Sequence, residues 1–146
     1  MRMRSLRSKW LGVLLGVTLL LVSASVALAE GYWTSYLSGV NRGYNSRTWR
    51  DYHNDSASTW VYFADCNDRD PNTSSDQVWA TLILWRHAGI FPPEDKGHIA
   101  KYCYYGASFN WGVQPGPAED FHWQVNDFSG GSGGNRLDVN HLTTYY

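Results

Sequence analysis

The sequence predicts an all-β fold, an antiparallel β-sandwich or small barrel closed by one disulfide, and three observations predict it. Short runs rich in Val, Ile, Thr and aromatic residues recur between turns of Gly, Pro, Asn and Asp, a composition that suits half-buried strands and tight connections. In "DFHWQVND", Phe121, Trp123 and Val125 alternate with His122, Gln124 and Asn126, which buries one face of a strand and wets the other. The chain holds two cysteines, Cys66 and Cys103, and its first residues point to export, where two thiols most simply pair.

Those first residues read "MRMRSLRSK", with Arg2, Arg4, Arg7 and Lys9 ahead of an apolar run from Trp10 to Val22 and "ALA" at 27–29. A charged start, a Leu/Val-rich centre and a small-x-small end predict a secretory signal peptide over 1–29, because the apolar run is short for a span of roughly 20 residues. Cleavage after Ala29 leaves 117 residues with eight Lys/Arg against thirteen Asp/Glu, a net charge of −5. One core fits in that length. No cationic stripe remains to neutralise phosphates, so nucleic acid is not an expected partner, and no membrane segment is left after cleavage.

Segment 30–56 carries Tyr32, Trp33, Tyr36, Tyr44, Trp49 and Tyr52 without a sustained period of 2 or 3.6, and is read as an aromatic N-terminal arm. It either lies across a sheet or docks on a partner as an edge strand or groove-binding segment. The sandwich domain follows over 57–146. "STWVYFADC" and "HIAKYCYY" read as strands that each carry one cysteine. "QVWATLILWRH" is expected to be a strand buried on both sides, with a helix as the competing reading because Ser74 and Gln77 mimic a capping box. "GIFPPEDKG" (89–97) and "PGPAED" (115–120) read as loops. "DFHWQVND", the "SGGSGGN" connection (129–135) and "RLDVNHLTTYY", with Leu137 and Val139 inward and a bulge near Asn140, are expected to form a hairpin.

Chemistry has few places to sit. Asp68, Asp70, Asn72 and Asp76 fall at alternate positions of a calcium-type loop, but Thr73 stands where a glycine makes the sharp turn and Trp79 where a bidentate carboxylate belongs. A solvated strand-to-strand turn is the simpler reading. His53, His87, His98, His122 and His141 show no two-ligand zinc spacing, and His122 is placed on a wet strand face. No nucleophile elbow or phosphate loop occurs, and the adjacent carboxylates Glu94–Asp95 and Glu119–Asp120 read as loop hydration. No cofactor is expected, and the cysteine pair leaves no free thiol.

The run "SRTWRDYHNDSASTWVYFADC" (46–66), the distant Cys103, "DFHWQV" and a strand ending the chain resemble small exported actinobacterial proteins of unknown function. The resemblance implies an extracellular protein, some of whose kind serve as adaptors in secreted particles or as inhibitors. Composition points the same way. The 22 aromatic side chains of the mature chain exceed what so small a core hides, and exposed Tyr and Trp supply rigid contact area. The sequence is therefore read as a non-enzymatic module that recognises an extracellular protein partner. A glycan or cell-wall ligand is the alternative, and an antimicrobial or protease inhibitor with a stiff 89–97 loop the next; oligomeric state is not legible.

Overall fold

The computed structural model describes residues 30–146, so the expected signal peptide lies outside the described residues. Nine strands form along them: β1 (Tyr32–Val40), β2 (Tyr44–Asn45), β3 (Trp49–Asp51), β4 (Thr59–Asn67), β5 (Trp79–His87), β6 (Glu94–Tyr102), β7 (Ala107–Gly112), β8 (Glu119–Phe128) and β9 (Leu137–Tyr145). They make two packed antiparallel sheets. The four-stranded sheet runs β1-β9-β4-β7; in the other, β8-β5-β6 run in order while β2 and β3 follow one another along the free side of β8. The sheets do not close into a barrel, so the sandwich form of the expected fold is the one adopted.

Alternating side chains set the core. Phe121, Trp123 and Val125 of β8, Leu82 and Leu84 of β5, Val61 and Phe63 of β4 and Phe109 of β7 are essentially inaccessible to solvent. β4 and β9 change phase together: Phe63 faces Leu142 and Cys66 faces Val139, three residues further on in each strand, with Asp65 between at φ 53°. That is where alternation was expected to fail, near Asn140.

Connections differ from the sequence reading in four places. β8 and β9 do not form a hairpin; they belong to opposite sheets, and 129–136 passes from one sheet to the other along the surface. Alternation tells which face of a strand is inward but not which sheet it joins, and a glycine-rich link easily spans the ~10 Å between sheets. Glu94 and Glu119 begin strands rather than lying in loops, because their carboxylates stay near Arg86 at the rim (2.6 and 3.4 Å) while their backbones pair. Segment 79–87 is a strand, yet only its inner side is fully closed; on its outer side Ile83 is buried and Thr81 and Trp85 are half-buried. The capping-box mimic becomes one 3-10 turn, Ser75–Gln77. The arm 30–56 supplies β1 to one sheet and β2 and β3 to the other.

Cys103 lies just past β6, where the chain crosses to β7, and bonds to Cys66 of β4 with a 5.5 Å Cα separation. The disulfide thus ties the two sheets at one end. Closing a loop of sequence separation 37 stabilises the fold by about 3–4 kcal/mol in the chain-entropy account. The double variant Cys66→Ser/Cys103→Ser is therefore expected to lose about that much in guanidinium unfolding; a midpoint matching that of the parent protein would show the cross-link to be energetically idle.

Candidate functional site

Equal lengths of strand build two unlike outer faces. The strands of the four-stranded sheet contain two carboxylates, Asp65, paired with His141 at 3.2 Å, and Asp138, and no Lys or Arg; those of the five-stranded sheet contain ten Asp, Glu, Lys and Arg, of which Asp51 and Glu119 are buried. The second face carries the ion pairs Arg50–Asp120 at 3.2 Å and His98–Asp95 at 2.7 Å, with Arg86–Glu94 at 2.6 Å on its rim. Such pairs hold a solvated surface and add little affinity.

On the charge-poor face, register places Tyr32 of β1 beside Tyr145 of β9, and Tyr145 beside Trp60 of β4. The rings stack, 5.7 Å between centroids for Tyr32–Tyr145 and 3.9 Å for Tyr145–Trp60. One step along, Thr34, Thr143, Tyr62 and Ser108 form a second row. Tyr62 is held over Gly106, whose φ of 110° leaves no room for a side chain: a Cβ there would collide with the tyrosine hydroxyl. Tyr36 continues the face. Among the described residues β1 is its outermost strand, with one side unpaired.

The six arm aromatics are not brought together. Tyr32 and Tyr36 stand on this face, 67% and 69% exposed. Trp33 and Tyr44 turn inward on either side of a cleft of about 170 Å³ floored by Trp123, where the Arg47 guanidinium lies 4.4 Å from the Trp33 ring centre. Trp49 is buried against Phe121 and Tyr146 and offers no contact surface, a correction that follows from the β3–β8 pairing. Tyr52 is exposed by itself beyond β3.

The acidic segment folds as successive side-chain-closed turns. Asn67 accepts from the Arg69 amide, Asp68 from Asp70 (3.0 Å), and Asp70 from Asn72 (2.9 Å), as Asn and Asp commonly do. Asp76 sits apart on the 3-10 turn. Only Asp68 Oδ2 is buried there without a partner, whereas calcium takes six to eight oxygens. Among the described residues no three His, Cys, Asp or Glu side chains converge as a metal set.

Two features escaped sequence reasoning because they depend on register. Asp51 and Glu119 are buried opposite one another on β3 and β8. Burial raises the Asp51 pKa, against the opposing pull of the His53 amide and imidazole. His122 is half-buried rather than wet: it meets His87 at 2.7 Å between ring nitrogens and stacks on Trp85. Its pKa is lowered, first by burial and then by the His87 charge.

A lowered histidine pKa means that the unfolded chain takes the proton first. Stability is then level above the ordinary value of 6.5, falls as pH drops below it, and levels again once the folded group is protonated. Compared with His122→Gln, the parent protein is expected to lose melting temperature between pH 7.5 and 5; parallel curves would refute this. No family model, curated protein or solved structure matches the chain, and its function is argued from this geometry.

Proposed function

We propose that the chain is a secreted, non-enzymatic interaction module that recognises a protein partner through the outer face of the four-stranded sheet and the free edge of β1. The carrying observation is the charge-poor face with Tyr32, Tyr36, Trp60, Tyr62 and Tyr145 on it. Interface centres are depleted in charge and enriched in Tyr and Trp, and the opposite sheet, with its ion pairs, supplies the contrast. The Cys66–Cys103 disulfide accords with an oxidising, extracellular setting.

Size supports using the edge as well as the face. Four strands ~4.8 Å apart and up to nine residues long, at ~3.3 Å each, present roughly 570 Å². A stable interface takes about 800 Å² from each partner. Pairing along β1 by strand addition supplies the difference and sets register through backbone hydrogen bonds. A flat sugar platform suits this face less well. The central ring of the row, Tyr145, lies between Trp60 and Tyr32, so its faces are taken up within the row.

Affinity capture from culture supernatant is expected to retain a stoichiometric protein. The double variant Tyr32→Ala/Tyr36→Ala should weaken that capture at least about tenfold, and Arg50→Ala on the other sheet should leave it unchanged. Undiminished capture by the tyrosine double variant would remove this face from the reading.

A further inference from the structure

We infer that a trough on the opposite side of the sandwich is a binding site for a neutral oligosaccharide. Two concavities share Trp79 and Tyr102. One, of about 670 Å³, lies between the 73–77 turn and the 128–132 connection, with Asp76, Gln77, Asp127 and Ser132 on its walls. The other, of about 400 Å³, continues over Thr81, Ala100 and Lys101 on the outer face of the five-stranded sheet. Both volumes fall in the ~300–1,000 Å³ range of small-ligand sites.

The lining matches what a sugar presents. A pyranose has a face of C–H bonds with a slight positive charge, ringed by hydroxyls that donate and accept. Aromatic ring faces attract the first, and carboxylate, amide and hydroxyl groups pair with the second. Trp79 and Tyr102 are cross-strand partners, which puts both rings on one side of the sheet. Tyr102 is 67% exposed and lies at the outer edge, on β6, the last strand of its sheet. This differs from Tyr145, whose ring is covered on both sides.

The surrounding groups fix the class further. Asp76 stands on the Ser75–Gln77 turn, Asp127 is paired with Arg42 at 3.1 Å, and Lys101 lines the second concavity; both carboxylates accept hydroxyl protons, and the near-balanced charge offers no cationic cluster to hold an anionic glycan. Gln77, Ser132 and Thr81 add uncharged donors and acceptors. Because the aromatic pair lines both concavities, a chain of several residues can engage both where one terminal sugar would fill only one. It lies on the sheet opposite the protein-binding face, so the inference does not rest on the reading given above.

The test is calorimetric titration of the mature disulfide-bonded protein with cellohexaose, with the hexamer of N-acetylglucosamine, and with hexagalacturonate as the anionic probe. One of the neutral hexamers is expected to bind and hexagalacturonate to bind at least tenfold more weakly. Tyr102→Ala should weaken binding at least tenfold. Tyr102→Phe should retain it within about twofold, and so should Tyr32→Ala/Tyr36→Ala. Tyr102 is exposed, so its replacement leaves the core intact, and an unchanged melting temperature verifies this. Absence of binding by both neutral hexamers, equal binding of the anionic one, or retention of affinity in Tyr102→Ala each overturns the assignment.

Discussion

The packing of Trp123 is the constraint on which the rest depends. Its indole projects from β8 across the gap between the sheets and donates from Nε1 to Thr144 Oγ1 of β9 at 3.0 Å. Phe63 of β4 meets it edge-on at 5.5 Å, Trp33 of β1 stacks on it at 6.2 Å, and Tyr44 of β2 leans against it. Its backbone closes on Ser46 in both directions: the Trp123 amide donates to Ser46 Oγ (3.0 Å), and its carbonyl accepts from the Ser46 amide (2.9 Å). One side chain therefore touches strands of both sheets and holds the arm 30–56 on the sandwich. This bond satisfies a buried indole N–H, and it can be made only because β9 lies in the sheet opposite β8, so it stabilises the crossing over a hairpin.

That arrangement decides what the surface can be. With β9 displaced into the other sheet, it runs between β1 and β4, both of which carry aromatic residues at outward positions. Tyr32, Tyr145 and Trp60 then fall in one row. The carboxylates and basic residues of β6 and β8 collect in the other sheet, where they pair across strands. Segregating charge in this way leaves one outer face hydrated and the other with few groups whose desolvation would oppose a contact.

What could be read from sequence was local. Phe121, Trp123 and Val125 declare an inward face by strict alternation, Asn67, Asp68 and Asp70 declare turns by their side-chain oxygens, and the two cysteines declare each other by exclusion. Long-range choices left no such mark. Nothing in 129–136 distinguishes a hairpin from a crossing, since both need flexible glycines. Glu94 and Glu119 look like loop residues until Arg86 is seen between them. His122 occupies an outward position, but its exposure depends on Trp85 and His87 one strand away, and that pairing belongs to register. The same holds for the candidate sites. Tyr102 meets Trp79 only through β5–β6 pairing, and four of the six arm aromatics serve the core or stand apart.

The disulfide gives the two surfaces a fixed relation. Cys103 directly follows Tyr102, the exposed ring of the proposed saccharide trough, and it is bonded to Cys66 of β4, the strand that carries Trp60 and Tyr62 on the opposite face. Asp65, beside Cys66, donates its amide to the Tyr104 carbonyl at 2.9 Å, so the crossing from β6 to β7 is held to β4 by a covalent and a hydrogen bond within a few residues. Local opening at that end would have to break both. Low-stability segments are the ones that move on binding, and this end is excluded from them. The two proposed binding faces are thus presented back to back by a stiff connection, a geometry that would suit holding two ligands at once better than passing a conformational signal between them.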